Sequence, residues 1–107
     1  MMRKTIMLFG FFLISISIML ASVSQRHSVV PSNGFVPDEK TAIKIAEAVW
    51  IPIYGEHQIQ SEKPFVASLK NGVWTVEGSL PKGWDGGVAI AEISKRDGRI
   101  LRVSHGK

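Results

Sequence analysis

The chain has 107 residues, 13 of them Lys or Arg and 9 Asp or Glu, a formal net charge of +4, and no cysteine. That length holds one domain at most, and the lack of cysteine excludes a disulfide framework, so a small domain must rely on its core alone. Two of the basic residues sit in the first four positions; beyond residue 24 the remaining 83 residues carry eleven basic and nine acidic side chains, a near-neutral balance that argues against nucleic acid as the main partner.

Arg3 and Lys4 precede an apolar run from Ile6 to Leu20, followed by Ala21, Ser22, Val23 and Ser24. A short basic region, an apolar stretch and small residues after it form the pattern of an export signal, with Ser22 and Ser24 placed for cleavage before Gln25. The run from Ile6 to Val23 is 18 residues long, close to the roughly 20 that span a bilayer, so an uncleaved anchor is the competing reading. In either case Arg3 and Lys4 stay cytoplasmic and the rest is exported. Residues 1–24 are thus read as signal peptide or N-terminal membrane anchor, 25–33 as a polar linker ("QRHSVVPSN"), and 34–107 as the domain. Val29 and Val30 in the linker offer an alternative, an added edge strand.

Pro37-Asp38 opens a helix, with Asp38 as N-cap and Glu39 at the positive helix end. Ala42, Ile45, Ala46, Val49 and Ile53 recur at helical spacing and predict the buried stripe. Pro52 ends or kinks this helix near Ile51, and Gly55 is the candidate C-cap. Trp50 and Tyr54, one turn apart, are placed to pack on each other. Glu56 to Pro64 is polar and irregular.

From Phe65 onward the period changes to two. Phe65, Ala67 and Leu69 alternate with polar residues, Asn71-Gly72 makes a tight turn, and Trp74, Val76 and Leu80 continue the apolar face. "PKGWDGG", Pro81 to Gly87, connects to a third strand within Val88 to Lys95. Asp97-Gly98 turns into the last strand, Arg99 to His105, with Leu101 and Val103 on one face. The fold class is therefore α+β: one N-terminal helix packed on a four-stranded antiparallel meander.

Few residues point to chemistry. Gly78 and Gly83 have phosphate-loop spacing, but Trp84-Asp85 stands where a lysine and a hydroxyl residue are required, and a strand rather than a helix follows. His27, His57 and His105 have no metal-ligand spacing, and His57 beside Glu56 reads as a solvated pair. Glu77 and Glu92 lie on strands expected to be neighbours. On a wet sheet face Glu77 is expected to meet Arg102, Lys95 or water, whereas acid–base catalysis requires a desolvated cleft. Ser79 and Ser104 have no histidine base in register. No catalytic residue, cofactor or metal is expected. Trp74 and Trp50 fit the core. Trp84, beside Lys82 and Asp85 in a glycine-flanked loop, has the composition of an interface hot spot, against the simpler alternative that its ring folds back over the end of the sheet.

Two stretches carry a resemblance. "GFVPDEKTAIKIAEAVWIPIYGE" and "PFVASLKNGVWTVEGSLPKGWDGGVAIAEISKRDGRILRVSHGK" together resemble the bacterial nuclear transport factor 2 fold immunity proteins of polymorphic toxin systems, from Gly34 to Lys107. The resemblance implies a protein that protects its producer by binding a toxin, with no catalytic residue and no cofactor. Domains of that broader fold carry more helices and a larger sheet, so a reduced, cystatin-like or nuclear transport factor 2-like form is expected here. The helix after an acidic cap and the "DGRILRV" hairpin also resemble exported PepSY modules, which implies the alternative of a peptidase-modulating or sensory role. The expected partner is a protein toxin met at the cell envelope, periplasmic or at the inner membrane, with Lys82, Trp84 and Asp85 as the contact residues. A membrane contact is expected only through an uncleaved N-terminal segment. Export by cleavage predicts that the intact mass of the mature envelope protein starts at Gln25; a mass that starts at Met1 leaves only the anchor.

Overall fold

The computed structural model describes residues 27–107; the proposed signal or anchor and the first two linker residues lie outside them. Helix α1 spans Glu39–Tyr54, α2 spans Glu56–Gln60, and four strands follow: β1 (Val66–Lys70), β2 (Val73–Glu77), β3 (Ala89–Ser94) and β4 (Ile100–His105). The sheet order is β1-β2-β3-β4, all neighbours antiparallel. This is the expected helix on a four-stranded meander. Among the described residues no helix is long and apolar enough to cross a membrane.

Helix α1 starts where the sequence places it. The Asp38 carboxylate accepts from the Thr41 backbone N–H at 2.9 Å and from the Thr41 hydroxyl at 2.7 Å, which satisfies one of the free donors of the first turn. These two hydrogen bonds hold the Asp38 carboxyl below its ordinary range. The helix does not stop at Ile51. It continues through Pro52 to Tyr54, and the Gly55 N–H donates to the Ile51 carbonyl at 2.8 Å to close it. A proline this late removes a single intrahelical bond, that to the Ala48 carbonyl, and the exposed final turn tolerates the loss.

The buried stripe of α1 is rotated from the predicted one. Ala42, Ala46 and Trp50 are fully buried, while Ile53 is 58% exposed. The reason is the aromatic pair. Trp50 and Tyr54 lie on one side with Ala42 and Ala46, and turning that side to the sheet buries more apolar area than turning the Ile53 side would. The two rings do not pack on each other: Trp50 meets Phe65 edge-on with centroids 5.4 Å apart, and Tyr54 meets His105 at 5.1 Å. The small Ala42 and Ala46 let the helix approach the sheet face formed by Ala67, Trp74, Val76, Ala89, Ala91 and Ile93. The Trp50 indole N–H donates to the Ile90 carbonyl at 3.3 Å, and that of Trp74 to the Val36 carbonyl at 2.8 Å, so each buried indole has a partner.

The strand alternation holds, with local departures at its ends. Leu69 lies at the sheet edge and is exposed, and Leu80 lies beyond β2. In β4 a register shift leaves Leu101 without a counterpart, since Arg102 pairs with Glu92 but Ile100 pairs with Ile93. Leu101 is therefore exposed, and Val103 alone of the two packs against the core.

Val29 and Val30 form no strand. The chain first engages the sheet at Gly34–Val36, where the Phe35 and Val36 N–H groups donate to the Arg96 and Lys95 carbonyls at 2.9 and 3.0 Å. Gly34 has φ +81° and a Cβ there would collide with the Lys95 carbonyl, so glycine is required on two counts.

Removing the largest fully buried side chain tests this packing. Trp50→Ala is expected to destabilise the domain by about 3–5 kcal/mol, read as a fall in the urea midpoint with the slope unchanged. A midpoint within error of the parent would contradict the assigned core.

Candidate functional site

The segment from Glu56 to Pro64, read from sequence as irregular, contains the short helix α2 and after it the one buried charged residue among those described: Glu62 is 3% exposed. Ile59 is buried ahead of it and fixes α2 against the core. The Gln60 amide donates to Glu47 of α1 at 2.7 Å, so a polar link also joins the two helices.

Glu62 joins segments distant in the chain. Its Oε1 accepts from the Ala89 N–H at 2.8 Å; its Oε2 accepts from the Gln58 amide at 2.9 Å and lies 2.7 Å from His105 Nε2. Its own backbone carbonyl accepts from the Ser79 N–H at 2.7 Å. Ser79 and Ala89 are the two stems of the β2–β3 connection, so one residue fastens both. Gly78 is needed beside it, since a Cβ there would lie 2.5 Å from Glu62 Oε1. A second closure comes from the C-terminus: the Gly106 N–H donates to the Val88 carbonyl at 3.3 Å, and Gly87 and Gly106 approach so closely that neither position admits a side chain without movement.

The loop between the stems carries the residues expected to bind a partner. Lys82, Trp84 and Asp85 are all exposed. The Trp84 N–H donates to the Pro81 carbonyl at 3.1 Å, a turn for which Gly83 supplies φ +83°. The Trp84 ring does not fold over the sheet as the simpler alternative supposed; the residue is 69% exposed. Trp84 lines a cavity of about 200 Å3 with Leu80, Pro81 and residues of the α2–Glu62 segment, whereas Lys82 and Asp85 do not line it and form no ion pair among the described residues.

Other candidates resolve into ordinary roles. Glu77 and Glu92 lie diagonally on the helix-free sheet face. Glu92 takes Arg102 at 3.0 Å, so Arg102 serves Glu92 rather than Glu77; Arg102 is exposed and Glu92 half-buried. Lys95 donates to the Asn33 carbonyl. Ser79 donates its hydroxyl to the Pro64 carbonyl at 2.6 Å, and Ser104 accepts from Arg102 at 3.1 Å. His57 is an exposed residue of α2. Among the described residues no group of His, Asp or Glu could hold a metal ion.

The Glu62–His105 pair couples the site to pH. Burial pushes the Glu62 carboxyl up, but hydrogen bonds from Ala89, Gln58 and His105, with the His105 charge, outweigh it and hold the group below its ordinary value. His105 is raised, chiefly by its hydrogen bond to Glu62 and also by the Gly106 carbonyl, against the opposing effect of burial. A lowered carboxyl stabilises the fold above about pH 4.5, and this is lost as pH falls through its folded value. A raised histidine stabilises the fold fully below about pH 6.5, and this is lost as pH rises through its folded value. The pair therefore contributes most between these limits. The melting-temperature gap between the protein and a His105→Gln variant is expected to be widest near pH ~5.5 and to shrink toward pH ~9. A gap that stays constant across that range would mean that His105 titrates alike in the folded and unfolded chain, so that its contact with Glu62 does not raise its pKa.

A family model described as NTF2 fold immunity protein matches residues 41–107, a span that carries α1 from its first turn, α2, all four strands and the Pro81–Gly87 loop. The chain is similar to uncharacterized protein YhhH of Escherichia coli strain K12, 38% identical over 76 residues, covering 70% of this chain and 60% of that one. It is likewise similar to uncharacterized protein YbbC of the same strain, 40% identical over 73 residues, covering 67% of this chain and 60% of that one. It thus spans less than two thirds of the length of these relatives. No solved structure matches it. With well over half of its length matched, the chain belongs to the NTF2 fold immunity protein family.

Proposed function

We propose that this protein neutralises a protein toxin at the cell envelope by binding and occluding it, with the Pro81–Gly87 loop and the adjoining helix-free sheet face as the contact surface. The family is non-catalytic, so protection comes from binding. The observation that carries the surface assignment is Trp84. A large aromatic residue that is 69% exposed at the tip of a loop fixed at both stems is pre-organised for a partner. A rigid stem lowers the entropy lost on association, and tryptophan is the side chain most enriched at interface hot spots. Lys82 and Asp85 flank it with one charge of each sign, which suits them to a polar rim rather than to the buried centre of an interface.

The sheet face beside the loop is mixed in character. Thr75, Glu77, Ile90, Glu92, Arg102 and Ser104 share it, and it lacks the apolar continuity that would make it an obligate interface. A partner that docks there makes its affinity at the loop and its orientation on the face.

Co-expression with the product of the adjacent gene is the direct test. Trp84→Ala is expected to weaken binding of the cognate toxin by about 2 kcal/mol or more, roughly thirtyfold in Kd, and to reduce protection while the melting temperature stays at the parent value. A variant that protects fully and binds equally would overturn the assignment.

A further inference from the structure

The cavity beside Trp84 has a definite chemical character. Leu80, Pro81 and Trp84 form its apolar side, and Gln58, Ser61, Glu62 and Ser79 its polar side. The polar side is rich in acceptors. The Ser61 hydroxyl donates to the Gln58 carbonyl at 2.6 Å, and the Ser79 hydroxyl donates to the Pro64 carbonyl at 2.6 Å. A hydroxyl has one proton, and both protons are spent inside the protein, so these two oxygens have only lone pairs left for a guest. The Gln58 amide nitrogen gives one of its two N–H groups to Glu62 at 2.9 Å, and its oxygen is an acceptor. The Glu62 carboxylate is an acceptor only, but it is 3% exposed and its two oxygens already take Ala89, Gln58 and His105, so it orders this side rather than meeting the guest.

The apolar side suits the same guest. An indole attracts a cation lying within about 6 Å of its ring, and Leu80 and Pro81 offer cover for a methylene stem. A volume of about 200 Å3, at about 30 Å3 per water, holds roughly half a dozen waters, the room of one long side chain and too little for a folded segment. A planar guanidinium has several donors in a fixed fork and stacks on aromatic rings, so it matches this set better than a lysine ammonium.

From this complementarity we infer that the cavity between Trp84, Leu80, Ser61 and Ser79 receives an arginine side chain of the protein that the loop binds. The inference deepens the toxin-binding reading and rests on it. Trp84 then acts as one wall of a specificity pocket, and the stem residues that Glu62 positions read the charge of the guest.

The probe is N-acetyl-arginine amide, titrated into the full chain with nitrogen-15 labelling and followed at the Trp84 indole N–H. Its uncharged isostere, N-acetyl-citrulline amide, is the control. The arginine compound is expected to give a saturable shift at Trp84 and at the amides of residues 79–87, with at least about tenfold weaker binding of citrulline. Trp84→Leu, a change at an exposed loop position, is expected to remove the shift, and Ser79→Ala to weaken it several-fold. Equal shifts from the two compounds, no shift at Trp84 up to tens of millimolar, or unchanged binding by Trp84→Leu would overturn the inference. The two readings separate cleanly. Loss of protection in Trp84→Ala without any arginine response in the parent keeps the loop as the toxin contact and refutes the arginine pocket. An arginine response with full protection by Trp84→Ala refutes the loop as the toxin contact and, with it, the assignment of the guest to the toxin.

Discussion

A single buried carboxylate holds the loop end of this domain together. Burying Glu62 costs solvation, and an unpaired charge there would be untenable. The fold meets the requirement by bringing the Ala89 N–H, the Gln58 amide and the His105 ring to its two oxygens. Each donor comes from a different element, so satisfying the carboxylate fixes β3, α2 and β4 relative to one another. The glycines around it follow from the same constraint. Gly78 leaves room for the carboxylate, and Gly87 and Gly106 let the C-terminal residues lie against the base of the loop. What looks in sequence like a glycine-rich turn is the margin of a crowded polar junction.

That junction explains how a small domain presents a long connection without losing it to disorder. Eleven residues separate β2 from β3, more than the two to five typical of a hairpin. The Glu62 side chain and backbone hold the two ends, and the turn at Pro81–Trp84 organises the middle. The core supplies the rest of the rigidity, with Trp50 and Trp74 both packed and both hydrogen-bonded. Binding proteins gain affinity when their contact residues are held in place before the partner arrives. The toxin binding proposed for this chain is served by that arrangement.

Much of the architecture was legible in the residues. The Asp38 cap, the Asn71-Gly72 and Asp97-Gly98 turns and the alternation in the strands all depend on neighbours in the chain, and local pattern reports them well. The helix face was legible only in outline. Counting aliphatic residues favoured Ile53, while the sheet selected Trp50 and Tyr54, because two large rings outweigh one isoleucine in buried area. The Glu62 junction was not legible. A glutamate within "HQIQSEKP" looks solvated by composition, and a five-residue helix is too short for periodicity to show. Its partners Ala89 and His105 lie 27 and 43 residues away. The one signal was Ile59, an apolar residue alone in a polar stretch, which marks where the segment turns inward. Trp84 could be singled out by its flanking glycines and charges, but the cavity beside it is built from two segments that only the fold brings together.

The strap formed by Gly34–Val36 has a mechanical consequence. It docks against Lys95 and Arg96, near the two tight turns at one end of the meander, while the β2–β3 connection emerges at the other end. The six-residue strand β3 between them, at about 3.4 Å per residue, sets these poles roughly 20 Å apart. Any pull transmitted along the chain from residues before Gly34 therefore enters the domain at the pole farthest from Trp84. The entering chain and the proposed contact loop thus lie at opposite ends of the sheet, so a tether at one end leaves the loop at the other unobstructed.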